Sequence, residues 1–138
     1  SYSDSWRYLE AAPNDQSAFA LWGCYRVSIS GADGTAVGTG EQNTIHIETG
    51  CITPGIAADL CANLSLGGYN DWFLPSKDEL NLMYTKLKVH EVGGFESGSY
   101  WSSSEYNAYK AWYQYFYDGF QYYITKHAIY WVRAVRVF

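Results

Sequence analysis

The clearest pattern along the chain is an alternation of side chains near the C-terminus. Every second residue from 113 to 117 is a tyrosine, so an extended strand would place the two sets of side chains on opposite faces. One set is Trp112, Gln114 and Phe116, and the other is Tyr113, Tyr115 and Tyr117. Asp118 and Gly119 then predict a two-residue hairpin turn, because glycine supplies the positive φ that such a turn requires. The aromatic run that follows, Phe120 to Tyr123, would form the returning strand.

Two helices are predicted in the middle of the chain. The first would begin at Thr53 and Pro54, as an N-cap followed by proline at the first helical position, and would end at Gly67 and Gly68. Its apolar residues recur at helical spacing: Ala57, Leu60, Cys61 and Leu64. The second helix would begin at Ser76, which forms a capping box with Glu79. Its apolar stripe consists of Leu80, Met83, Tyr84 and Leu87.

The remaining segments read as short strands and turns. We expect a first strand within Ser1 to Asn14, a half-buried strand or irregular core segment from Phe19 to Ile29, and a short strand from Thr44 to Glu48. The glycine-rich stretch from Gly31 to Gly40 has neither the Walker spacing nor the G-x-G-x-x-G spacing of phosphate-binding loops. We interpret it as turns. Strands, then two helices, then several strands to Phe138 predict an α+β fold rather than a parallel α/β sheet.

Composition limits the classes of function. The 138 residues, with 48% apolar and 17% charged residues, indicate one folded domain spanning residues 1–138. The net charge is −5 and no Lys/Arg cluster occurs, which argues against nucleic acid or an anionic membrane as partner. The sequence has no stretch long and apolar enough for a transmembrane span, and this chain carries no signal peptide.

The three cysteines, Cys24, Cys51 and Cys61, leave two alternatives open. Cys51 and Cys61 could form a disulfide, or the thiols could be free and buried. No cysteine or histidine spacing matches a zinc site.

Tyrosine is concentrated in the same C-terminal region. Nine of the fourteen tyrosines lie between Tyr100 and Tyr130. A core has little use for so many hydroxyls, since each buried one must find a partner. A contact surface gains large, rigid, amphipathic area from tyrosine, as antibody paratopes do. The sequence therefore predicts a displayed binding face.

Four motifs together resemble the variable proteins of diversity-generating retroelements. They are GGYNDWFLPSKDELNLMY (residues 67–84), YWSSSEYN (100–107), AW.Q.F..G.Q....K (111–126) and VRAVR.F (132–138). The resemblance implies a C-type-lectin-like fold, with two helices packed on short antiparallel strands and a C-terminal variable region, about residues 106–131, as the ligand-binding face. In such systems adenines of a template repeat, commonly in AAC codons, are randomised during reverse transcription.

The same resemblance implies which positions vary. The predicted ligand-binding residues are Tyr109, Tyr113, Tyr115, Tyr117, Asp118, Phe120, Tyr122, Tyr123, Ile124, Thr125, His127, Ala128, Ile129 and Tyr130. All are reachable from an AAC codon by changing its adenines. The interleaved Trp112, Gln114, Gln121 and Lys126 are not, as is expected of framework residues. Lys110 and Trp131 depart from this scheme and are left out. Arg133 and Arg136 are expected to pair with carboxylates or backbone carbonyls beneath the site.

The leading hypothesis is a non-enzymatic receptor or adhesin that binds an unknown protein or glycan on another surface. It would be extracellular, displayed on a cell surface or virion, with no catalytic residues, metal or cofactor. The alternative is a fixed-specificity carbohydrate-binding, lectin-like or structural surface domain, although no EPN- or QPD-like calcium motif occurs. Formylglycine-generating oxidases share the lectin-like fold but need a C-terminal cysteine pair, and no cysteine follows Cys61.

Overall fold

The computed structural model describes residues 8–138, and over these residues the chain is a mixed α+β protein, as predicted. The helices are α1 (Gly40–Gly50), α2 (Ala57–Ala62), α3 (Lys77–Lys86) and a 3-10 helix (Lys88–His90). The strands are β1 (Leu9–Ala11), β2 (Ser17–Ala20), β3 (Ser99–Glu105), β4 (Lys110–Tyr115), β5 (Phe120–Thr125), β6 (Tyr130–Val132) and β7 (Val135–Val137). The first seven residues of the predicted N-terminal strand lie outside the described residues.

The strands form two sheets. Strands β1 and β7 pair antiparallel, and a five-stranded sheet has the order β2-β6-β3-β4-β5. All pairs in the larger sheet are antiparallel except β3 with β6, where Tyr100 lies opposite Trp131. The expectation of antiparallel strands alone is therefore wrong at this pair. After edge strand β5, the chain crosses to the side of β3 that is opposite β4. Strand β6 enters the sheet there and runs parallel to β3.

Two apolar clusters form the core. The larger one lies between α1, α2 and the sheet and contains Trp22, Ile47 and Trp101, all fully buried. The smaller one lies between α3 and the sheet and contains Leu80, Tyr100 and Phe116. Helix α3 and the β3–β4 hairpin are thus fixed to each other by apolar burial, which positions the C-terminal strands.

The prediction of a strand from Thr44 to Glu48 is wrong, because these residues lie in helix α1. The buried residues of α1 are Gly40, Asn43, Thr44 and Ile47, a three- and four-residue spacing that fits a helix. The hydroxyl of Thr44 donates to the carbonyl of Gly40. Five residues of alternating pattern were too short a window to reveal this longer period.

Three α-helices are present in the described residues, where two were predicted. The first predicted helix is shorter at both ends: Ile56 is its N-cap, and it ends at Ala62, before the predicted stop at Gly67 and Gly68. Gly55 has a φ of +77° and its N–H donates to the Asp59 carboxylate, so the chain turns before the helix starts. The capping box of α3 is confirmed: Ser76 Oγ accepts from the N–H of Glu79, whose carboxylate accepts from the N–H of Ser76.

The β4–β5 hairpin has a four-residue turn, residues 116–119, rather than the predicted two-residue turn. Tyr115 pairs with Phe120, and the N–H of Gly119 donates to the carbonyl of Tyr115. Gly119 has the positive φ that was expected, at +84°. The turn is longer because Phe116 leaves the strand and packs into the core, 4.5 Å from the ring of Tyr100.

The disulfide joins Cys24 and Cys51, with their Cα atoms 5.8 Å apart. Of the two alternatives, the Cys51–Cys61 pairing is therefore wrong, and a free, buried thiol is correct for Cys61 alone. Cys61 lies on the buried side of α2 as a free thiol, and burial raises its pKa. The disulfide connects the segment after β2 to the C-terminal end of α1.

Candidate functional site

The β4–β5 hairpin presents two faces. The register places Tyr113, Tyr115, Phe120 and Tyr122 on one face, which we call the tyrosine face. It places Trp112, Gln114, Gln121 and Tyr123 on the other, the glutamine face. The alternation predicted from the sequence is thus present from residue 112 to 115, and β5 forms the free edge of the sheet.

None of the fourteen predicted ligand-binding residues is fully buried. The exposed ones are Tyr109, Tyr115, Tyr117, Asp118, Phe120, Tyr122, His127 and Ile129. The half-buried ones are Tyr113, Tyr123, Ile124, Thr125, Ala128 and Tyr130. Four residues interleaved among them, Ala111, Gln114, Phe116 and Lys126, are completely buried at 0% exposure.

On the tyrosine face the rings lie against one another above the larger core cluster. Tyr130 has its ring centroid 5.1 Å from that of Tyr113 and 4.9 Å from that of the buried Trp101. Phe120 and Tyr122 are 5.8 Å apart on the neighbouring strand. This face has a half-buried base and an exposed upper part, as a contact surface requires.

The register assigns Tyr123 to the glutamine face, but its ring also stacks on that of Tyr122, with centroids 4.3 Å apart, and so connects the rings of the two faces. It stacks on Tyr106 with centroids 3.7 Å apart and planes 3° apart, and meets the edge of Trp112 at 5.2 Å. Hydrogen bonds with Tyr122 and Tyr106 raise the pKa of its hydroxyl. The ammonium of Lys77 lies 4.6 Å from the Trp112 ring, and that of Lys110 lies 5.5 Å from the Tyr123 ring.

Tyr25 is a surface residue that was not among the predicted site residues. Its ring lies 3.9 Å from His127 and 5.5 Å from Tyr109, two of the predicted variable residues. The N–H of Arg26 donates to the carbonyl of Ala108, which holds this loop against the variable segment. No local motif marks Tyr25, because the contact joins segments more than eighty residues apart.

A buried ion pair supports the end of β5. Lys126 Nζ donates to Glu105 Oε2 at 2.7 Å and to the carbonyl of Val27 at 2.9 Å. The same carboxylate oxygen accepts from the N–H of Ile29. Burial lowers the pKa of Lys126, and the Glu105 carboxylate opposes that shift. The pair connects β3, the residue after β5 and the loop that carries Tyr25.

The glutamines connect the hairpin to α3. Gln114 Nε2 donates to Asn81 Oδ1 at 2.9 Å and to the carbonyl of Gly119 at 3.0 Å. Gln121 Nε2 donates to the carbonyl of Lys77 at 2.8 Å. These bonds give both framework glutamines a structural role.

The expected pairing of the two arginines is confirmed. Arg133 donates to Asp15 and to the carbonyls of Ala12, Gly93 and Gly94. Arg136 donates to Asp71 and Glu10. The partners belong to the N-terminal segment and to loops, so the arginines stabilise the joint between the termini rather than contact the predicted variable residues.

The groups that could carry other chemistry are few. Across residues 8–138, no three His, Cys, Asp or Glu side chains are arranged to hold a metal ion. The carboxyl of Asp71 accepts hydrogen bonds from Arg136, which lowers its pKa. Glu48, on α1, has a pKa raised to about 8 by burial and by the neighbouring Asp59 carboxyl. None of the helices described here has the length and hydropathy to cross a membrane.

A family described as the Lcl C-terminal domain matches residues 13–136, nearly the whole chain. The match confirms the resemblance to the variable-protein domain of diversity-generating retroelements and is consistent with a C-type-lectin-like fold. A search of curated proteins gave no match.

Proposed function

We propose that this chain, which belongs to the Lcl C-terminal domain family, is a non-enzymatic receptor or adhesin with a diversified binding surface. Adenine-directed mutagenesis from a retroelement would vary the fourteen predicted residues on a C-type-lectin topology. The family match supports a variable ligand-binding protein of such a retroelement. The receptor role, the adenine-directed mutagenesis and the C-type-lectin topology go beyond the family match, and they are what we propose.

One observation carries the proposal. All fourteen predicted variable residues are exposed or half-buried. Of the four predicted framework residues, Gln114 and Lys126 are fully buried and Trp112 and Gln121 are half-buried, and the neighbouring Ala111 and Phe116 are fully buried as well. Substitutions at exposed positions usually change the free energy of unfolding by less than about 0.5 kcal/mol. A chain with this partition tolerates diversity at the surface because the side chains that fix the fold stay constant.

The chemistry of the surface favours binding. Tyrosine rings provide contact area with few rotatable bonds, and tyrosine is enriched in the energetically important parts of interfaces. His127, the one histidine among the variable positions, lies against Tyr25 rather than beside a nucleophile. The Cys24–Cys51 disulfide fits an oxidising compartment, which supports display on a cell surface or virion.

Sequencing the 3′ region of the gene and its flanking DNA across isolates or culture generations tests the proposal. We expect substitutions at the fourteen positions and a nearby repeat with adenines in the matching codons. Uniform variation without a repeat would make residues 109–130 an ordinary fixed surface.

The alternative is a fixed-specificity carbohydrate-binding domain. The stacked Tyr106–Tyr123 pair with Trp112 at its edge is an aromatic platform of the kind that sugar rings pack on. A glycan array in the presence and absence of calcium distinguishes the two: selective glycan binding by a protein with an invariant gene supports the alternative.

A further inference from the structure

Strand β5 leaves backbone groups unpaired along the edge of the sheet. The N–H of Lys126 donates to the carbonyl of Tyr109, and antiparallel pairs alternate between bonded and non-bonded. With the observed register, Tyr122 and Ile124 therefore bond to β4, while the N–H of Phe120 donates to Asp118 Oδ1 in the turn. The backbone N–H and C=O groups of Gln121 and Tyr123 point away from β4, towards the open edge of the sheet. The N–H of Thr125 points the same way. No other strand of residues 8–138 pairs with this edge.

Within residues 8–138, strand β5 itself lacks the sequence features that usually protect an edge against further strand pairing. Proteins commonly block an exposed edge with proline, with charged side chains or with a covering element. The sequence of β5, FQYYIT, has no proline and no charge, and it is rich in residues that favour strands. An open edge of this composition is a template for another strand.

Two cations next to this edge indicate the chemistry of the partner. Lys77 and Lys110 lie on the rings of Trp112 and Tyr123, and neither forms an ion pair with a carboxylate in the described part of the chain. Pairing of two copies through β5 around Tyr123 would bring the Lys110 side chains of both copies towards each other. Like charges disfavour that arrangement, whereas carboxylates on a foreign strand would be attracted.

We infer that β5 binds an extended, acidic segment of a partner protein as a sixth strand of the sheet. Backbone hydrogen bonds to Gln121 and Tyr123 provide an anchor that mutation of side chains does not remove, and the variable side chains select among partner sequences. Carboxylates on one side of the bound strand face Lys77 and Lys110. The inference rests on the proposed function and names the partner class of the same surface.

The test begins with the wild-type protein and a displayed library of random linear peptides about a dozen residues long. We expect acidic peptides to be enriched, and the best one, made synthetically, becomes the probe. N-methylation of single backbone amides in that peptide should weaken binding at alternate residues, by roughly five- to tenfold at each. Failure to enrich any linear peptide, or N-methylation effects without a two-residue period, would overturn the inference.

Two variants at one position test the edge on the protein itself. Tyr123→Ala removes the ring and keeps the outward N–H, while Tyr123→Pro removes both and leaves the bonds of β5 to β4 in place. We expect the proline variant to bind the peptide roughly five- to tenfold more weakly than the alanine variant. The matched control Tyr122→Pro removes an inward N–H and should lower stability instead. Equal binding by the two Tyr123 variants would overturn the inference.

The charge component is tested by Lys110→Gln, with the exposed Lys86→Gln as control. We expect Lys110→Gln alone to weaken binding of the acidic peptide and to reduce its salt dependence. Concentration-dependent dimerisation that Tyr123→Pro abolishes would identify a second copy as the occupant and overturn the inference. The proposed function has its own test. It is wrong if alanine substitutions at Tyr113, Tyr115 and Tyr122 leave ligand binding unchanged.

Discussion

The hairpin surface and the layer beneath it are stabilised by different kinds of contact. On the surface, aromatic rings touch other rings, such as Tyr115 with Tyr117 and Phe120 with Tyr122. In the layer beneath, buried polar groups have specific partners: Lys126 with Glu105, and Gln114 with Asn81. Glu79, also buried, accepts from the N–H groups of Ser76, Gly38 and Gly40.

The difference has an energetic consequence. An aromatic pair contributes about 0.5–1.5 kcal/mol beyond area burial, and a partly exposed ring can be replaced by another side chain at little cost. Removal of one partner of a buried ion pair costs about 3–5 kcal/mol, because the other charge stays buried. The fold is thus specified by groups that are out of reach of a ligand, and the groups within reach are replaceable.

The adjacent residues Phe116 and Tyr117 give the strongest test of this comparison. Phe116 is 0% exposed and contacts Tyr100, while Tyr117 is 71% exposed. We expect Phe116→Ala to lower the free energy of unfolding by about 3–5 kcal/mol, through lost burial and the cavity left behind. Tyr117→Ala should stay within about 0.5 kcal/mol of the parent. Urea unfolding of both variants measures the difference, and similar losses would contradict the separation into two layers.

Two lysines form the next matched pair. Lys126→Met leaves the Glu105 carboxylate buried and unpaired, so we expect a loss of about 3–5 kcal/mol in the free energy of unfolding. Lys110→Met, at an exposed lysine of the same hairpin, should cost less than about 0.5 kcal/mol. Chemical unfolding again provides the measurement. A loss below about 1 kcal/mol for Lys126→Met would mean that Glu105 finds another donor or takes up a proton.

The contrast between the layers also explains how far the sequence could predict the structure. The capping box at Ser76 and the alternation from Trp112 are local patterns, and both are present in the structure. Lys126 and Gln114 were separated from the variable residues because neither can be encoded after changes at the adenines of an AAC codon. This criterion contains no information about burial. The resemblance supplied this distinction.

Long-range contacts account for what the sequence could not predict. The Cys24–Cys51 disulfide and the contact between Tyr25 and His127 depend on how the loops return to the sheet. The parallel pairing of β6 with β3 depends on a crossover that no local pattern encodes. In α1, the strand-like alternation of Thr44 to Glu48 was overridden by burial of Thr44 and Ile47 on one side of a helix.

The Cys24–Cys51 disulfide lies outside both regions, and its removal should have a smaller effect. It closes a loop between residues 27 positions apart and anchors the segment that places Tyr25 on the surface. We expect the double substitution of Cys24 and Cys51 by serine to lower the free energy of unfolding by about 2–4 kcal/mol. A reductant should lower the unfolding midpoint of the parent protein and leave that of the double variant unchanged. A further shift of the double variant in reductant would assign the effect to something other than this bond.

The smallest expected effect concerns Glu48 of helix α1, because its side chain is only half-buried and solvent screens its charge. Its pKa is raised from an ordinary value of 4.5 to about 8, because it is half-buried and lies beside the Asp59 carboxyl. The folded state therefore holds the Glu48 proton more tightly than the unfolded chain. The resulting stabilisation is fully present below pH 4.5 and is lost as the pH rises through 8.

A Glu48→Gln variant lacks this titration, so the parent protein should lose stability relative to the variant as the pH rises from about 5 to about 8. Urea midpoints of the two proteins at several pH values measure the change in their difference. Glu41→Gln, at an exposed glutamate of the same helix, serves as the control and should keep a constant offset from the parent. A constant offset for Glu48→Gln as well would mean that this carboxyl is solvated in solution. The buried polar layer would then be confined to the groups that contact the hairpin, which makes the contrast between the two layers a property of the binding region alone.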